Sequence, residues 1–239
     1  MDATRHDAFF LDLDGTLIET TPTPDEARAT PRVRDVLFRL ARATDGATMI
    51  VSGRAIAKVD ELLGLRLPVA GQHGAEMRFL NPAFDDIRIG ISGYDRLLAR
   101  CAGIARTCGD ARVEAKNPTI ALHLSRADPA FDRLLQKVGR LAAASHGRLA
   151  CIVAHNVVEL RPADIHKGMA VAGAAMFGPF GGRRPIFAGN DTPDIDGFRA
   201  AEARGGFGIA VGTPQPGARH LLASPDALLD ALDAVAGSA

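Results

Sequence analysis

Phe9-Phe10-Leu11-Asp12-Leu13-Asp14-Gly15-Thr16 is the stretch on which the reading of this chain turns. Residues 8–13 form an apolar run broken only by Asp12, and the run stops at Asp14-Gly15. That pattern predicts a buried parallel strand ending in a tight turn. Open parallel sheets bind their ligands at the carboxyl ends of strands, which is where Asp12 falls. Period-two alternation turns Leu13 to the opposite face, so both carboxylates point to one side. Two carboxylates that close repel each other and are costly beside a core. A divalent cation is the simplest relief. Gly15 permits the turn that brings backbone N–H groups toward an anion. A solvated acidic turn is the plain alternative, and the apolar residues running straight into the pair argue against it.

Working outward, Pro22, Pro24 and Pro31 hold a loop open, and Thr30-Pro31 makes a cap and first-turn pair. Val33, Val36, Leu37 and Leu40 then fall on one helical face. A second strand, 47–51, ends at Ser52-Gly53-Arg54. Ile56, Val59, Leu62 and Leu63 continue as a buried helical face closed by Gly64. A third strand, 69–71, leads into Gln72-His73-Gly74. This alternation predicts an open parallel sheet with helices on both faces. From 80 to 160 the pattern changes to helix 94–108, strand 119–124, helix 130–144 and strands 149–153 and 157–160. Alternation resumes after Pro162 with helix 168–176, strand 185–188, helix 192–203, strand 207–211 and a last helix opened by Ser224-Pro225. The expectation is a Rossmann-like α/β core from 1–79 and 161–239, with an inserted α+β domain at 80–160.

Bulk properties narrow the function. The chain has 239 residues, with 28 basic and 28 acidic side chains and no basic block. Nothing in that suggests a nucleic-acid surface. Cys101, Cys108 and Cys151 lack a paired metal spacing, and Cys101 and Cys108 read as small buried groups. Structural disulfides are not expected, which fits a reducing cytoplasm. The polar N-terminus shows no signal-peptide pattern, and no apolar run approaches the roughly 20 residues that span a bilayer. A soluble cytoplasmic protein follows, a monomer or weak oligomer whose partner is a small molecule rather than nucleic acid or membrane.

Three other strand or helix ends offer what phosphoryl chemistry needs. Ser52 supplies a hydroxyl beside a backbone amide. Lys167 stands at the start of a helix, so its ammonium and that helix's first amides can share one anion. Asn190-Asp191 offers hard oxygen ligands of the kind Mg²⁺ takes. Asp194, one turn on, is placed to orient Lys167 or a metal-bound water. Singly, Ser52 reads as a helix cap and Lys167 as a solvated lysine. Their order along the chain argues for a site.

Asp-x-Asp-Gly-Thr, the strand-end serine, the lysine and the late acidic cluster together resemble the four motifs of haloacid dehalogenase-type phosphatases. The resemblance implies that Asp12 attacks phosphorus and that Asp14 first protonates the leaving oxygen and later deprotonates water. It implies Mg²⁺ held by Asp12, the Asp14 carbonyl and the Asn190/Asp191 cluster, with Ser52 and Lys167 on the phosphoryl group. The flanks Val51-Ser52-Gly53-Arg54, Gly71-Gln72-His73-Gly74-Ala75-Glu76, Ala121-Leu122-His123, Val158-Glu159-Leu160-Arg161-Pro162 and the run from Gly189 to Phe198 are similar to trehalose-6-phosphate phosphatases. That likeness implies an inserted cap closing over a sugar, with hydrolysis of trehalose 6-phosphate to trehalose and phosphate. It extends the candidate substrate contacts to Ser52, Gly53, Arg54 and His73 in the core. Glu114, Lys116, His123 and Glu159, polar groups around strands of the inserted domain, are the candidates for the sugar. For Glu114 and Lys116 an ordinary exposed ion pair stands as the alternative. The family usually has Gly-Asp-Asp where this chain has Gly189-Asn190-Asp191, so one formal charge is missing there. Other readings are the same chemistry on sucrose 6-phosphate or mannosyl-3-phosphoglycerate, a non-catalytic phosphate-binding module, and a signalling receiver. A receiver needs neither the insertion nor the second aspartate.

Overall fold

The structure, a computed structural model, describes residues 6–21, 27–80, 87–90, 92–154 and 156–237. Pro22 and Pro24, read as holding a loop open, lie outside them. The elements run β1 (Asp7–Leu11), α1 (Pro31–Ala43), β2 (Thr48–Val51), α2 (Ile56–Leu63), β3 (Val69–Gly71), β4 (Glu76–Arg78) and β5 (Ile87–Arg88). Then come α3 (Tyr94–Ala105), β6 (Arg112–Ala115), β7 (Ile120–His123), α4 (Phe131–Ala143), β8 (Leu149–Ala154) and β9 (Val157–Pro162). The chain closes with α5 (Lys167–Ala174), β10 (Arg184–Gly189), α6 (Ile195–Glu202), β11 (Phe207–Val211), β12 (His220–Leu222) and α7 (Pro225–Gly237).

Two compact units result, one from residues 1–87 and 166–239, the other from 88–165. The divisions fall several residues later than the pattern suggested. The edge strand β5 belongs to the first unit's sheet, and β9 runs on to Pro162 in the second.

In the first unit the sheet order is β12-β11-β10-β1-β2-β3-β4-β5, with β1 in the interior. Pairing is parallel from β12 to β3 and antiparallel between β3 and β4. Alternation along β1 sorts its side chains onto two faces. Phe9, Leu11 and Leu13 join a core with Val33, Val36, Leu37 and Leu40 of α1 and Leu228, Leu229 and Leu232 of α7. Ala8 and Phe10 join the other core, with Ala170 and Val171 of α5 and Phe198 of α6. Asp12 follows Phe10 in this alternation and therefore faces the start of α5.

Local signals set the helix ends. Thr30 Oγ1 accepts from Val33 N at 3.3 Å, with Pro31 in the first turn, so α1 is capped as its sequence predicts. Gly64 closes α2 in the left-handed region. Leu62, expected on the buried face of α2, is only partly buried, because Ile56, Val59 and Leu63 already fill it. Helix α3 stops at Ala105 rather than 108, and α6 begins at Ile195 after a single 3₁₀ turn.

The second unit is a four-stranded antiparallel sheet, β6-β7-β9-β8. Ile120, Leu122, Val158 and Leu160 on one face pack with Leu134 and Val138 of α4 and Cys101 and Ala105 of α3. Among the described residues no helix is long and apolar enough to cross a membrane.

Candidate active site

The β1 ladder ends at Leu11, yet Asp12 N still donates to Ala188 O of β10 at 2.9 Å. The turn after it closes on one acceptor, the Leu13 carbonyl, which receives Leu17 N and Ile18 N at 3.0 Å each. Gly15 makes the turn at φ +81°, and a Cβ there would collide with the Asn190 side chain. Asp12 is thus presented at the strand's carboxyl end on a backbone held by β10 and followed by a closed turn.

Around it stands a buried charge network. Lys167, the first residue of α5, donates to Asp12 Oδ1 at 2.7 Å and to Asp194 Oδ1 at 2.6 Å. All three side chains are almost wholly buried. Thr16 Oγ1 donates to Asp12 Oδ2 at 2.9 Å. Burial, aided by the Asp194 charge and opposed by Lys167, pushes the Asp12 carboxyl up to about 7. Burial alone would lower the Lys167 ammonium, but the two carboxylates outweigh it and hold it above its ordinary range. Asp194 also fixes the next loop, its Oδ2 accepting from Asn190 N at 2.9 Å and Asp191 N at 3.0 Å.

That loop brings the Asn190 amide to β1. One terminal atom of the amide lies 3.1 Å from Asp12 Oδ2, 3.0 Å from the Asp14 carbonyl oxygen and 3.1 Å from Thr16 Oγ1. Asp191 Oδ1 accepts from Thr192 N at 2.7 Å, capping the 3₁₀ turn. Among the described residues no three His, Cys, Asp or Glu side chains form a metal-holding group. The oxygens gathered here are a carboxylate, a main-chain carbonyl and an amide. Such a set fits Mg²⁺, which takes few protein ligands and keeps several waters.

Ser52, Gly53, Arg54 and His73 form the flank beside Asp14. Ser52 is buried at the end of β2, and its Oγ accepts from Arg54 N at 3.1 Å. Arg54 grips Asp14 at two points, Nε to Oδ2 at 2.8 Å and Nη2 to Oδ1 at 2.7 Å. His73 sits in a 3₁₀ turn at φ +61°, and its N donates to Ser52 O at 2.9 Å. Its ring lies over Gly53, where an added Cβ would come within 2.9 Å of Cε1. Glu76, two residues past that turn, accepts from Ile56 N at 2.7 Å and caps α2, whose own N-cap is Ala55.

The remaining candidates lie in the second unit, joined to one another. Glu114 of β6 and Glu159 of β9 both flank Ala121 of β7, which puts the three on the face away from α3 and α4. His123 shares that face and meets Glu114 Oε2 at 2.8 Å. Lys116 reaches Glu114 at 3.4 Å and Glu159 at 3.5 Å. The His123 hydrogen bond, with Lys116 nearby, holds the Glu114 carboxyl below its usual range against partial burial.

Two residues at this centre were not singled out by sequence reasoning. Thr16 was visible within its motif but carried no assigned role. Gln215, whose Nε2 donates to Asn190 O at 2.8 Å, follows β11 in a Pro-flanked loop that carries no recognisable signal.

A doubly covered, mostly parallel sheet with an inserted α+β unit makes a haloacid dehalogenase-like fold. A Bacteroides thetaiotaomicron protein of that description superposes with a TM-score of 0.70 at 16% identity, over 96% of this chain and 99% of that one. The chain belongs to the trehalose-phosphatase family, whose sequence model matches residues 10–227. It is 34% identical over 207 residues to the trehalose-6-phosphate phosphatase of Escherichia coli, covering 86% of this chain and 77% of the relative. The C-terminal domain of the C. albicans trehalose-6-phosphate phosphatase has the same fold, with a TM-score of 0.82 at 19% identity over 98% of this chain and 92% of that one.

Proposed function

We propose that this chain hydrolyses trehalose 6-phosphate to trehalose and phosphate, with Asp12 as nucleophile and Mg²⁺ as cofactor. The observation that carries the reading is the buried Asp12 carboxylate, held by Lys167 and Thr16 at the carboxyl end of β1. A carboxylate fixed in this way needs little reorganisation to attack. In the first step an Asp12 oxygen bonds to phosphorus as the bond to the sugar oxygen breaks. Asp14 gives that oxygen its proton. In the second step Asp14 takes a proton from water, the water oxygen bonds to phosphorus, and the bond to Asp12 breaks to release phosphate. Lys167 and Ser52 bind the phosphoryl oxygens and offset charge there. Asp12, the Asp14 carbonyl and Asn190 are the residues that would hold Mg²⁺, which supplies further charge neutralisation when bound. Arg54, engaged with Asp14, contacts the phosphate after releasing it. The 88–165 unit acts as a cap that selects the substrate, with Glu114, Lys116, His123 and Glu159 pairing with sugar hydroxyls.

The test is phosphate release from a panel of sugar phosphates, with and without Mg²⁺, run beside Asp12→Asn. The expected result is magnesium-dependent release from trehalose 6-phosphate that Asp12→Asn abolishes with an unchanged circular-dichroism spectrum. Equal turnover of trehalose 6-phosphate and glucose 6-phosphate would sink the substrate assignment, and residual activity in Asp12→Asn the nucleophile.

A further inference from the structure

We infer that Asn190 is a turning amide that closes its own metal site: nitrogen inward when the site is free of cation, oxygen inward when Mg²⁺ is held. The inference rests on the magnesium reading above and concerns what the chain does on either side of binding.

The geometry at the inward end of the amide is the starting point. Three oxygens, Asp12 Oδ2, the Asp14 carbonyl and Thr16 Oγ1, lie 3.0–3.1 Å from a single atom of Asn190. An NH₂ group there donates to this set, while the Thr16 hydroxyl keeps its own proton on Asp12 at 2.9 Å. An oxygen there accepts from Thr16 but faces a carbonyl and, when Asp12 is ionised, a carboxylate with no proton between them, a repulsion that a bound cation relieves. The same position thus offers a donor group without metal and a ligand with it, the two differing by a half-turn of the side-chain amide.

The backbone does not have to move for this. Asn190 N is held by Asp194 Oδ2 at 2.9 Å and Asn190 O by Gln215 Nε2 at 2.8 Å. With both main-chain groups pinned, the free motion left is rotation of the amide. A carboxylate at 190 has no donor form. It would add a third anion to Asp12 and Asp194, whose shared buried cation is Lys167. An aspartate would bind the divalent cation more tightly and leave the metal-free centre strained by like charges. Asparagine exchanges affinity for an apo state that is internally satisfied.

The experiment uses the full chain as wild type, Asn190→Asp and Asn190→Ala. Magnesium chloride is titrated calorimetrically, thermal melting is followed in EDTA and in saturating Mg²⁺, and ¹⁵N spectra follow the side-chain NH₂ pair that Asn190→Asp removes. Asn190→Asp is expected to bind Mg²⁺ at least tenfold tighter and to melt below wild type in EDTA, with the gap closing at saturating Mg²⁺. Asn190→Ala, which lacks the donors without adding charge, also melts below wild type in EDTA. The NH₂ protons exchange slowly in EDTA and faster once Mg²⁺ is added. If wild type binds Mg²⁺ but both variants melt at or above it in EDTA, or the NH₂ exchange does not change, the turning amide is overturned while the metal reading stands. If neither wild type nor Asn190→Asp binds Mg²⁺, the metal reading itself fails and the ligand half of the inference falls with it.

Discussion

Arg54 holds Asp14 by two parallel hydrogen bonds, Nε to Oδ2 at 2.8 Å and Nη2 to Oδ1 at 2.7 Å. Bidentate guanidinium–carboxylate pairs are among the stronger polar contacts a protein makes. Both oxygens of Asp14 are engaged, so Arg54 and the proton transfer proposed for Asp14 draw on the same carboxylate. An arriving phosphate is the natural competitor for the guanidinium. In the proposed reaction the pair would link anion binding to release of Asp14, the group assigned there to protonate the leaving oxygen.

Arg54→Ala should then lower kcat/KM for the sugar phosphate by about 10- to 100-fold, corresponding to roughly 1.4–2.7 kcal/mol of transition-state stabilisation. With p-nitrophenyl phosphate, whose leaving group needs no proton, the loss should be several-fold smaller. Arg54→Lys should not restore the sugar-phosphate rate, because a point charge cannot span both oxygens. Steady-state kinetics on the two substrates decide the matter. An equal loss on both would mean that Arg54 serves only to bind phosphate.

Much of this centre could be read from the chain because its signals are local. The run into Asp12 shows its strand by apolar continuity, and Leu13 does fall in the opposite core from Phe10. Lys167 and Asn190 were legible because each sits at the end of a recognisable element. The Lys167–Asp194 pair is 27 residues apart in sequence and was seen only as one of two options for Asp194. Gln215 reaches Asn190 from a loop whose residue types give no hint of a partner. Strand β6, Arg-Val-Glu-Ala, escaped because three of its four side chains are exposed, so no apolar pattern marks it. Strand β12 is three residues long on a sheet edge, too short for periodicity to register.

Cys101 gives a pH test of the second unit's core. Burial pushes its thiol up to about 11, above the ordinary thiol value near 8.5. The folded state disfavours the thiolate, so this contribution to stability is complete below about pH 8.5 and is lost as pH rises toward 11. Iodoacetamide at pH 8 should therefore modify Cys101 far more slowly in the native protein than in urea, as peptide mass spectrometry would register. Equal rates in the two states would contradict a buried, protonated Cys101.

The Glu114–His123 pair separates a structural role from a recognition role. Both side chains are more than a third exposed, so losing their contact should change stability by no more than about 1 kcal/mol. If they contact the sugar, Glu114→Ala and His123→Ala should each raise KM for trehalose 6-phosphate about tenfold, near 1.4 kcal/mol. Turnover of p-nitrophenyl phosphate, which has no sugar, should be unchanged. The two measurements can be made on one preparation. A KM for trehalose 6-phosphate matching wild type in both variants would leave the pair as a surface ion pair.

Lys167 has the largest expected effect, since it bridges Asp12 and Asp194 at 2.7 and 2.6 Å in a buried setting. Lys167→Ala leaves two buried carboxylates facing each other without their cation, and breaking a buried pair in this way costs about 3–5 kcal/mol. Urea denaturation in EDTA should show a loss of that size, because EDTA leaves no bound divalent cation to take the place of the ammonium. Adding Asp194→Asn to Lys167→Ala removes one of the stranded anions and should recover part of the loss, the non-additivity expected of residues in direct contact. Recovery of stability need not bring recovery of activity, since Lys167 also faces the phosphoryl group in the proposed reaction. A double variant no more stable than Lys167→Ala would show that Lys167 stabilises by packing rather than by charge.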